Sequence, residues 1–196
     1  MNTALADPPT LMTTEQLLSL PDDGVDRDLI RGKLLEKPMS RRNRRHSRTE
    51  ARFATLLGNW LETQPEPRGE VLVGEAGFRL RRNPDTTVGV DLAYISAETA
   101  DLTPDDAYLI EGIPILVVEI VSPSDEQKDI TDKIRDYLDC GVKLVWLAEP
   151  VFRTLTVFRP DAEPELFNLT HELSGEPHLP GFRMPVAAAF ARSKKS

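Results

Sequence analysis

Apolar and polar positions alternate along this chain in two rhythms, one of about 3.6 residues and one of two. The first is clearest over residues 44–63, where Phe53, Leu56, Leu57, Trp60 and Leu61 recur at helical spacing. The pattern predicts an amphipathic helix there. A second helix is predicted from about Glu126 to Asp139, with Ile130, Ile134 and Leu138 as its buried stripe. Gly141 is its expected terminator. Near the start, Thr13 and Gln16 have the spacing of a capping box, and Pro21-Asp22-Asp23-Gly24 ends the short helix they would open. The rhythm of two marks strands. "GEVLVGEAGFRLR" and "VGVDLAYIS" read as strands, and "DLIRGKLLEKP" as a hairpin about Arg31-Gly32. "IPILVVEIVS" and "VKLVWLAE" are apolar at nearly every position, so both are expected to be central strands covered on two faces. "TLTVFRP" and "PELFNLT" read as a closing pair of edge strands, while residues 97–112 are acidic and turn-rich, a loop or short helix. The order of elements predicts an α/β or α+β fold, a mixed sheet flanked by helices.

Length and composition narrow this without changing it. A chain of 196 residues with 40% hydrophobic and 29% charged residues fits one soluble domain with a substantial core. The expected domain runs over 13–190, with a frayed stretch at 1–12 and a polar tail at 191–196. No apolar run has the length of a membrane span, and "MNTALADPPT" lacks the pattern of a secretory signal. Cys140 is the single cysteine, so no internal disulfide forms, in keeping with a cytoplasmic location. The formal net charge of -8 argues against a protein that coats nucleic acid, though not against local basic contacts. There is no Gly-x-Ser-x-Gly and no glycine-rich phosphate loop.

The candidate chemistry lies in the strands. Glu119 sits among Leu116, Val117, Val118, Ile120 and Val121, and Asp91 sits inside "VGVDLAYIS". An ionised carboxylate in such a setting calls for a cationic partner, a raised pKa or a metal. If the two strands are neighbours, one divalent cation relieves both acids. The alternative is that each acid lies at a strand end and meets solvent. In the following helix Asp129, Lys133 and Tyr137 stand at i, i+4 and i+8, which places Lys133 on the flank of the apolar stripe. From there its stem can lie along the sheet and its ammonium can reach a strand acid. The alternative is a surface Asp129–Lys133 pair.

Asp91, "VVEIVSPSD", "DKIRDYLDCGVKLVWLAEP", "VFRP" and "LPGFRMPVAAAF" together resemble the Uma family of "putative restriction endonucleases", within the PD-(D/E)XK nuclease superfamily. The resemblance covers roughly residues 13–190. It implies a restriction-endonuclease-like fold and a metal-dependent endonuclease, with Asp91, Glu119 and the main-chain carbonyl of Ile120 as metal ligands. It also implies a lysine that assists the attacking water. The superfamily's proline is Val90 here, and its lysine position is Val121; the resemblance assigns the lysine role to Lys133, on the next helix. Hard oxygen ligands favour Mg²⁺ or Mn²⁺ over zinc. By analogy the substrate is DNA and the enzyme a homodimer.

A basic run, Arg41, Arg42, Arg44, Arg45, His46 and Arg48, opens the first long helix. Cations there oppose the helix dipole, so phosphate contact is one account of Arg41, Arg42, Arg44, Arg45 and His46. A solvated charge run is the other. Uma-like sequences often carry a histidine at the position of His46. Three functions remain open: a metal-dependent endonuclease, a catalytically silent nucleic-acid-binding module, and an interaction scaffold with a structural Asp/Glu/Lys network.

Overall fold

The computed structural model describes residues 11–38, 42–123 and 125–192. Helix α1 (Thr14–Leu18) opens on the expected capping box: Thr13 accepts from the Gln16 N–H while Gln16 accepts from the Thr13 N–H. Strands β1 (Val25–Ile30) and β2 (Lys33–Pro38) form the hairpin about Arg31-Gly32. Both turn residues have positive φ, 50° and 76°, which two-residue hairpin turns require and which glycine adopts freely. Helix α2 (Arg44–Leu61) follows, capped by Asn43, whose side chain accepts from the Arg45 and His46 N–H groups.

Strands β3 (Glu70–Arg81) and β4 (Thr86–Ile95) form a long antiparallel pair, followed by α3 (Ala97–Leu102) and the short β5 (Ile110–Glu111). Strand β6 (Leu116–Ile120), helix α4 (Gln127–Cys140) and strand β7 (Leu144–Glu149) make a parallel crossover unit. Gly141 ends α4 with φ of 108°, as its position predicts. Strands β8 (Thr154–Phe158) and β9 (Glu165–Phe167) close the sheet, and β10 (Glu172–Ser174), β11 (Arg183–Pro185) and α5 (Val186–Ala189) complete the described chain.

Among the described residues the main sheet has nine strands, ordered β2-β1-β4-β6-β7-β8-β9, with β3 on β4 and β5 on β3. The two predicted central strands are central, and alternation along them builds two cores. Leu116, Val118 and Ile120 of β6, with Leu144, Trp146 and Ala148 of β7, pack with Phe53, Leu57 and Trp60 of α2. Val117, Val145 and Leu147 pack on the other face with Ile134 and Tyr137 of α4. The sheet is thus covered by α2 on one side and α4 on the other, a mixed α+β architecture flanked by helices. Among the described residues no helix is long and apolar enough to cross a membrane.

One feature of the pairing places the site. Strand β3 occupies one edge of β4 from Arg81↔Thr86 to Glu70↔Ile95. Strands β1 and β6 therefore divide the other edge: β1 pairs at Leu29↔Thr87, and β6 at Leu92↔Val118 and beyond. Between them the β4 edge is left open over about four residues, and side chains take the place of a ladder. Asp28 accepts from the Gly89 N–H at 3.0 Å, and Lys133 donates to the Gly89 carbonyl at 2.9 Å.

Candidate active site

The fork between β1 and β6 is the floor of a pocket of about 80 Å³. Continuing the β4–β6 register by one pair beyond Leu92↔Val118 sets Asp91 opposite Glu119. Residues directly opposite on antiparallel strands are near neighbours, and both acids line the pocket. Seven carboxylates and three basic side chains line it in all, so it is strongly electronegative.

Asp91 is 5% exposed and tightly held. Its Oδ2 accepts from the Ile120 N–H at 2.8 Å and lies 3.2 Å from Nε2 of His46. Its Oδ1 lies 3.7 Å from the Arg42 guanidinium. Burial alone pushes this carboxyl up, but the His46 contact, the Ile120 N–H and Arg42 together outweigh it and hold the pKa below the usual range. Glu119 goes the other way. Burial raises it and the charge of Asp91 adds to the rise; Lys133 and the Tyr137 hydroxyl only partly offset them. A short hydrogen bond from Tyr137 reaches Oε1, and the Lys133 ammonium is 3.3 Å from the same oxygen. The side chain keeps 17% exposure and lines the pocket.

Lys133 is paired with Asp28 at 3.5 Å as well as Glu119. Burial works to lower its pKa, yet Asp28 and Glu119 carry it well above the usual lysine range. The alternative surface pair is absent from the structure: Asp129 meets Lys37 at 3.5 Å, on the other side of the pocket mouth. Sequence reasoning did not single out Asp28, Gly89 or a site role for Tyr137. Tyr137 stands one turn beyond Lys133 and was visible as its neighbour, whereas Asp28 and Gly89 gave no signal, because the β1–β4–β6 fork exists only in the tertiary fold.

The basic run divides. Arg41 lies outside the described residues. Arg42 turns into the pocket, where it pairs with Glu75. Glu75 itself sits in a bulge of β3, with φ of 61°, between Val73 and Ala76. Arg44 and Arg45 are exposed. His46, grouped with the arginines in the sequence, is 1% exposed and faces Asp91, not solvent.

The donors fit a hard divalent cation. Asp91 and Glu119 both line one negative pocket, and burial together with the charge of Asp91 raises the pKa of Glu119. Among the described residues no three His, Cys, Asp or Glu side chains are placed to hold a metal together. Main-chain, water and substrate oxygens would therefore complete the shell, as is usual for Mg²⁺.

The fold is a mixed sheet with α2 and α4 on its faces, and an acid-lined pocket opens where the β4–β6 pair begins. Residues 14–187 match the family described as "Uma2: Putative restriction endonuclease", and the chain belongs to that family. The fold is similar to a crystal structure of "a putative nuclease belonging to DUF820" from Anabaena variabilis, with a TM-score of 0.76 at 21% identity. That likeness covers 91% of this chain and 97% of the other. Among curated proteins none matches this chain.

Proposed function

We propose that this chain is a divalent-metal-dependent endonuclease that hydrolyses DNA phosphodiester bonds, with Mg²⁺ or Mn²⁺ as cofactor. The observation that carries this reading is that Asp91 and Glu119 line one pocket, close enough for the charge of Asp91 to raise Glu119, with the Lys133 ammonium 3.3 Å from Glu119. Asp91, Glu119 and the main-chain carbonyl of Ile120 would hold the cation. The cation would lower the pKa of a bound water and draw charge from a phosphoryl oxygen. Ile120 and His46 fix the Asp91 carboxylate, the Ile120 N–H on Oδ2 and His46 Nε2 3.2 Å from both oxygens. Tyr137 and Lys133 fix Oε1 of Glu119. Lys133 orients the attacking water or stabilises the developing negative charge on the phosphate. Arg42, at the rim, meets the substrate backbone as it enters. The unit that does this is a single domain over about 13–190, working as a cytoplasmic homodimer.

The experiment is a cleavage assay with Mn²⁺ or Mg²⁺ on duplex, single-stranded and structured DNA. The native protein nicks or cuts, and chelator stops it. Asp91→Asn and Glu119→Gln each abolish cutting while the fold persists. Lys133→Met slows cutting about 100-fold, the scale of one lost charge-stabilising group, with a smaller change in Mn²⁺ affinity. Mn²⁺ binding at Asp91 and Glu119 without cutting of any substrate would instead favour the silent nucleic-acid-binding module.

A further inference from the structure

On the far side of the α2 N-terminus from the acid pocket lies a second, basic pocket of about 340 Å³. Arg45 and Arg48 of α2, Arg153 of the β7–β8 turn and Arg192 beyond α5 all line it. Three separate parts of the chain thus bring like charges together. None of the four arginines makes an ion pair among the described residues, although most other arginines do. The same pocket is lined by Thr49, which is 1% exposed and whose hydroxyl has no hydrogen-bond partner. The Arg48 Nε is likewise buried without an acceptor. The two unsatisfied buried polar groups are costly to a folded apo protein, and around them stand four guanidiniums without an ion pair among the described residues, those of Arg45, Arg153 and Arg192 open to solvent. They are the donors that a phosphate accepts. Burial, then the charges of Arg192, Arg44, Arg45 and Arg153, lowers the pKa of Arg48, as expected where an anion is wanted.

Two further observations say whose phosphate it is. Phe152, between two residues that line the pocket, is 74% exposed at the tip of the β7–β8 turn. A shallow groove lined by Val121, Arg45, Pro150 and Val151 joins this pocket to the acid pocket, which Val121 also lines. We infer that the arginine pocket is a strand-binding subsite: it takes a backbone phosphate of the nucleic acid away from the scissile bond, and Phe152 stacks on an adjoining unpaired base. This rests on the nucleic-acid reading of the acid site and extends it. It makes the substrate a strand with at least one unstacked base beside the cut.

The test uses the full chain in chelator, so that no cleavage is needed. Binding of a fluorescent single-stranded DNA oligonucleotide is measured against salt, and inorganic phosphate is tested by thermal shift against chloride at equal ionic strength. For Arg48→Gln with Arg153→Gln, oligonucleotide affinity is expected to fall at least about tenfold, and the salt slope to become shallower by about 0.7, one single-strand phosphate contact. Phe152→Ala is expected to weaken the oligonucleotide roughly tenfold, one lost base stack, and to leave the phosphate shift unchanged. Thr49→Val keeps the shape of the site and removes a hydroxyl with no internal partner. It is expected to leave the apo melting temperature in place while reducing the phosphate shift, which a purely structural role would not do. A phosphate shift lost in the double variant with oligonucleotide binding untouched would overturn the strand assignment in favour of a free phosphate ion. Equal phosphate shifts and equal oligonucleotide binding in all variants would overturn the pocket altogether. Either failure leaves the cleavage assay free to succeed, and an inert acid site leaves these binding results free to stand.

Discussion

The imidazole of His46 has Nε2 on Asp91 and an Nδ1 that makes no hydrogen bond; the nearest acid, Glu50, is 3.9 Å away. An ionised carboxylate only accepts, so Nε2 carries the proton and His46 donates. Under the proposed function this makes His46 a positioning residue, which would act on the cation through Asp91. His46→Ala is expected to raise the Kd for Mn²⁺ about 10–100-fold, the usual cost of a lost partner behind a ligand. His46→Gln, which can still present an N–H, restores part of it. Calorimetric titration with Mn²⁺ checks both, and a Kd unchanged from the native protein would reduce His46 to packing. At this scale the sequence singled out the candidate side chains. Glu119 and Asp91 stood out because a charge in an apolar strand has to be compensated, and Lys133 because helical geometry put it at the edge of a buried stripe. The direction in which His46 and Arg42 turn could not be read, since an arginine-rich run looks alike whether its members face solvent or an acid from another strand.

Among elements, α1 is fastened to the β3–β4 turn through one buried carboxylate. Asp85 Oδ2 accepts from the Thr14 N–H at 2.8 Å and from the Thr14 hydroxyl at 2.7 Å, while Oδ1 accepts from the Asn83 N–H at 3.1 Å. Burial pushes Asp85 up, but these donors outweigh it and hold its pKa below the ordinary 3.8. A carboxyl depressed in the folded state binds protons more readily when unfolded. Its stabilising contribution is therefore complete above 3.8 and is lost as pH falls through the lower folded value. Asp85→Asn is expected to cost about 1–3 kcal/mol near neutrality, and the gap from native protein narrows on acidification, as urea melts across the pH range would record. The capping box at Thr13, the hairpin turn at Arg31-Gly32 and the stop at Gly141 were all legible, because each depends on neighbours in sequence. The Glu75 bulge was not: it serves contacts with Arg42 and, through the Gly74 N–H, with Glu50, both on the distant α2 segment.

For the whole molecule, the acid pocket is a local electrostatic cost that the proposed cation would relieve. Glu119→Gln removes one of two neighbouring buried acids, so the apo protein is expected to gain stability. In the native protein, Mn²⁺ at about 100 times its Kd adds about 2.7 kcal/mol, a rise in Tm of roughly 5–10 °C for a chain of this size. Chelator removes the rise, and Glu119→Gln never develops it; a thermal scan of the two proteins with and without Mn²⁺ reads all four states. By itself the sequence determined the class of fold, the central place of β6 and β7, the two amphipathic helices and the identity of the three candidate site residues. Those follow from periodicity and from the cost of burying charge, which act over a few residues. Only the tertiary structure decided that β1 and β6 share one edge of β4, that Asp28 and Tyr137 join Lys133 around Glu119, and that Arg48, Arg153 and Arg192 meet in one pocket. Each of these depends on which distant segments lie side by side, and strand pairing of that kind is set by the packing of the complete sheet against α2 and α4.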